Sequence, residues 1–208
     1  MVLYHMLVLD IAEIVGTLAF SLSGYFVGVK EKLDFLGIFI TSFLTALGGG
    51  IIRDVIVGRA PLSFVDPTFP TIVLSVIIVA TLLNLHHKTS LENKYYFILS
   101  DTLGLSSFAI SGAIVANLYD FSIFGVMLLA LITASGGGVL RDILINRVPL
   151  LLKSEFYGSV ALLIGLILFI LYKLSFSNFL TISIIFLFGV ILRLVAYHRD
   201  WHLPKIKG

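Results

Sequence analysis

Apolar runs of about twenty residues, recurring from one end to the other, constrain this chain more than any other feature. A helix needs about 20 apolar residues to cross roughly 30 Å of hydrocarbon. Seven such stretches fall at roughly 6–28, 35–57, 70–86, 96–117, 122–145, 156–173 and 178–197. At 59% hydrophobic and 12% charged, the sequence lacks the polar surface of a water-soluble domain. Backbone groups in lipid must be satisfied within the segment, so the expected fold is an all-α polytopic membrane protein. No small-residue cleavage site follows the first run, and no removable signal peptide is expected. Cysteine is absent, which excludes disulfides and thiolate metal sites.

The short loops carry turn and breaker residues such as Asp34, Pro61, Pro67, Pro70, Asn93, Asp120 and Pro149. Cations sort unevenly between the two sides. Loops 1, 3 and 5 and the tail hold Lys30, Lys32, Lys88, Lys94, Arg147, Lys153, Arg199, Lys205 and Lys207, against only Arg59 and Lys173 on the other side. Nine against two places the N-terminus outside and the C-terminus in the cytoplasm. The remaining cations, Arg53, Arg141 and Arg193, lie within spans. Tyr197 and Trp201, with the basic residues around them, read as an interfacial anchor. His86 and His87, followed by Lys88, read as cytoplasmic loop, since no third metal ligand is near. No metal, cofactor or nucleic acid is expected.

The sequence repeats itself. At a constant offset of 88, Gly16 matches Gly104, Phe20 matches Phe108, Ser23-Gly24 match Ser111-Gly112, and Gly37 matches Gly125. Thr45-Ala46 then match Thr133-Ala134, and Arg59, Pro61 and Leu62 match Arg147, Pro149 and Leu150. One membrane domain is therefore expected over 1–208, with repeat 1 at 5–87, repeat 2 at 93–175, a seventh helix at 176–198 and a cytoplasmic tail at 199–208. Three spans per copy is an odd number, so the second copy enters from the opposite side. Inverted repeats place a pathway at their interface near the midplane.

Within both copies the chain breaks two rules together, as GGGIIRD at 48–54 and GGGVLRD at 136–142. Glycine costs roughly 1 kcal/mol in a helix interior relative to Ala. A triplet therefore favours a kink or a locally unwound turn in helices 2 and 5, tolerated at membrane depth only inside protein or against water. Close helix packing explains the same residues. Thr45, Thr133, Ser135 and the adjoining charges favour a pathway lined by these hydroxyls and by Gly48, Gly49, Gly50, Gly136, Gly137 and Gly138. An intramembrane arginine needs a partner. Arg53 is expected in the outer half, paired with Glu13, and Arg141 in the inner half, paired with the equivalent Asp101. Asp54 and Asp142 serve as second partners or helix-terminal groups. Such pairs act as static clamps or as gates, and a gate of this kind responds to voltage.

The duplicated GGGxxRD, the three-plus-three-plus-one spans and the N-out orientation resemble the trimeric intracellular cation channels (TRIC), specifically their prokaryotic branch. The resemblance covers about 5–197. It implies a homotrimer with an hourglass pore in each subunit, conducting K⁺ chiefly and Na⁺ as well. It also implies glycine-kinked pore helices 2 and 5 and gating by the basic residues after them, Arg53 and Arg141. Animal members carry a lysine-containing motif beside the first triplet and bind phosphoinositides there, where this chain has Ile51-Ile52-Arg53. Membrane lipids are expected as its neighbours. Members of the family have also been labelled glycine transporters.

A channel with this lining, and with no TVGYG-type filter, discriminates only modestly among monovalent cations. The alternative is a secondary transporter of a small solute such as glycine, rocking about the same interface. An enzyme is not expected, because no HExxH, GxSxG or paired-Asp motif lies within a span. Small residues at Gly16, Ser21, Ser23 and Gly24 of span 1, and at Gly104, Ser106, Ser107, Ser111 and Gly112 of span 4, suggest those spans for the central contact of a trimer. A prokaryotic plasma membrane suits a compact chain of this kind.

Overall fold

The computed structural model describes residues 2–85, 90–153 and 156–201, with side chains from residue 6 and, after the first break, from residue 94. His86, His87, Lys88 and the tail from 202 lie outside the described residues. Nine helices and no strands occur among those described: α1 (Val2–Lys30), α2 (Phe35–Ile56), α3 (Leu62–Val65), α4 (Thr68–Leu82), α5 (Ser90–Leu118), α6 (Ile123–Leu144), α7 (Leu150–Lys153), α8 (Tyr157–Lys173) and α9 (Phe179–His198). Five of them, α1, α2, α5, α6 and α9, are long and apolar enough to cross a membrane. The chain is a multi-pass membrane protein.

Spans 3 and 6 are shorter than expected, at 15 and 17 residues. Residues 62–65 and 150–153, expected in loops, fold into two four-residue helices, α3 and α7. Spans 1 and 4 run longer, starting at Val2 and Ser90 rather than 6 and 96.

Helix boundaries repeat with the sequence. The bounds of α1, α2 and α3, each displaced by 88 residues, are those of α5, α6 and α7. The local causes repeat too. Asp34 caps α2 by accepting from the Gly37 amide at 2.7 Å, and Ser122 caps α6 by accepting from Gly125 at 3.3 Å. Past the other end, Gly58 (φ 73°) and Asn146 (φ 56°) take the left-handed conformation that these two residue types tolerate best.

The two halves interlock through their first helices. Phe20 of α1 stacks on Phe108 of α5 with centroids 5.5 Å apart, and each ring rests on the other helix's glycine, Gly104 or Gly16. A side chain at either glycine would strike the opposite ring, so the pair needs both glycines. Around this centre α2 packs on α1 and α6 on α5, while α2 and α6 also meet each other directly. The helices α4 and α8 cover the two halves, and α9 packs against α5 and α8 of the second.

The small-residue face of α5 is spent inside the subunit. Ser106, Ser107 and Ser111 are buried within one chain, together with Ala109 and Ala113. A central trimer contact through span 4 is therefore not available, because those residues already pack against the chain's own α1, α6 and α9.

Candidate functional site

At the crossing of α2 and α6 the two glycine triplets face one another. A Cβ on Gly48 would lie 3.0 Å from the Gly137 Cα, and one on Gly49 would collide with the Thr133 carbonyl. One on Gly137 would collide with the carbonyls of Leu44 and Thr45. Gly50 and Gly138 differ: the sole neighbours within 4 Å are the Nη2 atoms of Arg53 and Arg141, each at 3.7 Å. The first residues of each triplet thus permit contact, and the last opens room for the arginine one turn ahead. Helical structure continues through both triplets, so no locally unwound turn forms there. The close α2–α6 contact supplies packing that offsets the poor helix propensity.

Hydroxyls lie on the same two helices, with Thr133 Oγ1 turned toward Gly112 of α5. Thr45, Thr133 and Ser135 donate to the carbonyls of Thr41, Leu129 and Leu131 at 2.5, 2.6 and 2.7 Å. A hydroxyl that donates to the preceding turn has only lone pairs left to offer. The Thr45 oxygen accepts one further contact, from Arg141 Nη1 at 3.4 Å.

The first charge cluster lies beside α2. Arg53 is fully buried and bonds both the Glu13 carboxylate and the Ser111 hydroxyl through Nη1. Ser111 in turn donates to Glu13 at 2.9 Å, closing a triangle. Arg53 Nε donates to Asp54 Oδ1 at 2.8 Å, and Arg59 donates to the same oxygen at 2.9 Å. The second Asp54 oxygen accepts the Leu62 amide at 3.0 Å, fixing the start of α3. Asp54 is thus both second partner and helix-terminal group. A cavity of about 10 Å³, bordered by Glu13, Gly50, Arg53, Asp54, Phe69 and Phe108, leaves space beside the cluster for about one water.

The second cluster repeats part of this design. Arg141 Nε donates to Asp142 Oδ1 at 2.9 Å, and Asp142 Oδ2 accepts the Leu150 amide at 3.0 Å, fixing the start of α7. The expected Arg141–Asp101 ion pair is not made: among the described residues Arg141 ion-pairs with Asp142 alone. Asp101 is one methylene shorter than its counterpart Glu13. It accepts instead from the Ser23 hydroxyl at 3.2 Å, the mirror of the Ser111 contact. The hydroxyl of Tyr157, on α8, lies beside the same carboxylate. Arg193 of α9 stacks over the Tyr157 ring at 5.2 Å and acts electrostatically on Asp101, as Arg141 does.

The sequence assigned Ser23 and Ser111 to packing, placed Arg193 within a span without a partner or role, and passed over Tyr157. The offset of 88 held a signal for one of these, since Tyr157 stands where the first half has Phe69. A hydroxyl added to a buried ring asks for a polar partner.

The sequence model of the family described as "Glycine transporter" matches residues 10–85 and 98–173, two segments themselves displaced by 88. UPF0126 membrane protein YvgT of Bacillus subtilis is 36% identical over 201 residues, 94% of this chain and 95% of that protein. UPF0126 inner membrane protein YadS of Escherichia coli is 28% identical over 74% of each chain. Among solved structures, one described as bearing on conductance through TRIC cation channels superposes with a TM-score of 0.82 at 34% identity, covering 96% of this chain and 97% of that one. A prokaryotic TRIC channel in 0.5 M KCl gives 0.86 at 29% identity, covering 95% of this chain and 100% of that one. The trimeric intracellular cation channel orthologue from Rhodobacter sphaeroides gives 0.84 at 26%, covering 93% and 98%.

Proposed function

The chain belongs to the TRIC family, which includes the UPF0126 membrane proteins and carries the description glycine transporter, and from that membership we propose that it is a monovalent cation channel. Each subunit holds its own pathway, running between the two charge clusters past the α2–α6 crossing. The observation that carries the reading is the pair of buried arginines, Arg53 and Arg141, that follow the two glycine triplets. A charge held inside a membrane helix is costly unless partnered, and characteristically marks an ion pathway or a voltage sensor.

The lone pairs of Thr45, Thr133 and Ser135 are ligands for a partly dehydrated K⁺ or Na⁺. Arg141 engages Thr45 in this conformation and so occupies an oxygen that a passing cation uses. Bending of α2 and α6 at Gly48–Gly50 and Gly136–Gly138 separates the crossing and carries the arginines aside. Each arginine charge moved across the whole field is worth about 2.3 kcal/mol per 100 mV, enough to make opening voltage-sensitive. Selection among K⁺ and Na⁺ is modest with such a lining. We further propose three copies per assembly, with the N-terminus outside. The exposed stripe of Met6, Leu7, Ile11 and Leu18 on α1 belongs to the outer surface that lipid or a second copy covers.

One observation favours a second reading, a carrier of glycine or a similar solute. The α2–α6 crossing is shut by direct glycine contact, as an occluding barrier between two access routes would be. Parallel flux measurements on one proteoliposome preparation separate the two. A channel dissipates a K⁺ gradient without glycine and takes up no labelled glycine. Glycine uptake with no K⁺ leak would overturn the channel.

A further inference from the structure

Charge accounting distinguishes the two halves. The first cluster holds two carboxylates, Glu13 and Asp54, and two arginines, Arg53 and Arg59, all from repeat 1. The second holds the equivalent carboxylates, Asp101 and Asp142, but of the equivalent arginines only Arg141 stays. Arg147, the counterpart of Arg59, turns away and ion-pairs with Glu31 between α1 and α2. The reason lies one repeat over: the position equivalent to Glu31 is Tyr119, which offers Arg59 no carboxylate, and Arg59 folds back onto Asp54.

The missing positive charge comes from outside the duplication. Arg193 of α9 is buried, with 4% of its surface exposed, and its guanidinium carbon sits 5.2 Å from the centroid of the Tyr157 ring, whose hydroxyl faces Asp101. Its helix is seated there by Gly189, which touches Ile164 of α8 and Ser106 of α5. Phe69, the counterpart of Tyr157, faces the small cavity at the first cluster, whereas α9 packs against α5 and α8.

We infer that Arg193 is the charge-balancing residue of the second cluster, supplied by the helix that the duplication lacks, and that it thereby limits how strongly cations are drawn to that end of the pathway. The inference rests on the channel reading above. Without Arg193 the cluster carries one uncompensated negative charge. A unit charge about 7 Å away across water attracts a monovalent cation by roughly the thermal energy, raising its local concentration about two- to threefold.

Single-channel conductance of the reconstituted full chain in symmetric KCl tests this with Arg193→Gln, Arg193→Lys and Arg193→Gln/Asp101→Asn. The expected result is a two- to threefold larger unitary conductance in Arg193→Gln at low salt, shrinking as KCl is raised. Arg193→Lys stays near wild type, and the double variant lies closer to wild type than Arg193→Gln does. An unchanged conductance in Arg193→Gln would overturn the inference, as would Arg193→Lys behaving like Arg193→Gln, since stacking on Tyr157 would then be its role. If Arg193→Gln does not assemble, recovery of assembly by Arg193→Lys and by the added Asp101→Asn supports charge balance, and failure of both refutes it. A wild-type protein silent in the same bilayers removes the channel reading, and this inference with it.

Discussion

Alanine at Gly49 and at Gly50 separates the two jobs given to adjacent glycines. Both sit inside α2, so both gain about 1 kcal/mol of helix propensity on becoming Ala. That gain cancels when the two variants are compared, leaving the steric difference. A methyl at Gly49 meets the Thr133 carbonyl well inside the 3.0 Å closest approach, and backbone cannot rotate away as a side chain can. Helices α2 and α6 must separate by on the order of 1 Å, an overpacking that costs about 1–3 kcal/mol. At Gly50 the methyl meets only Arg53 Nη2, at 3.7 Å, an ordinary contact. Thermal unfolding of the detergent-solubilised protein, followed by circular dichroism, reads the difference. At about 2–4 °C per kcal/mol for a chain of this size, Gly49→Ala melts roughly 2–12 °C below Gly50→Ala. Gly137→Ala and Gly138→Ala repeat the contrast on α6. Equal melting temperatures, or Gly50→Ala the lower, would refute the division between contact glycines and clearance glycines.

Glu13→Gln removes a direct partner of a fully buried arginine, and breaking such a pair costs about 3–5 kcal/mol. Asp101→Asn, whose carboxylate has hydroxyl contacts but no ion pair at bonding distance, costs clearly less by the same melting assay. Glu31→Gln, at a partly exposed pair with Arg147, shifts stability by no more than about 1 kcal/mol, and less at high salt. Outside the spans, Asp66 accepts the Thr68 amide at 2.9 Å, which holds its carboxyl below the usual range. Folding therefore favours the charged form. Its contribution is present above the unfolded value near about 3.9 and is lost as pH falls through the lower folded value. An NMR titration of Asp66 that gave an ordinary or raised pKa would contradict this contact.

The fold was legible where one physical cause acted twice. The offset of 88 ties Gly16 to Gly104 and Asp34 to Ser122, and the helix bounds follow that offset because caps, turns and packing glycines were duplicated together. The short helices α3 and α7 were not legible from hydropathy, since four residues carry no periodicity. Their signal was polar: Asp54 and Leu62 stand eight apart, as do Asp142 and Leu150, and each pair makes one side-chain cap. Of the charged site, Glu13 with Arg53 follows from matching one acid to one arginine. The same logic failed at Asp101, because a shorter side chain does not reach and because α9, which has no counterpart, brings a second arginine. Span 4 read as a surface face because small residues mark close contact without saying whose.

In the proposed channel, ions cross passively between Arg53 and Arg141. Planar-bilayer recording of the purified chain in asymmetric KCl, with voltage stepped, observes that passage itself. The expected result is discrete unitary currents that reverse near the K⁺ equilibrium potential, with an open probability that changes when Arg53 or Arg141 is replaced by Gln. Currents that reverse at the Cl⁻ potential, or a silent bilayer from protein that takes up glycine in vesicles, would contradict it.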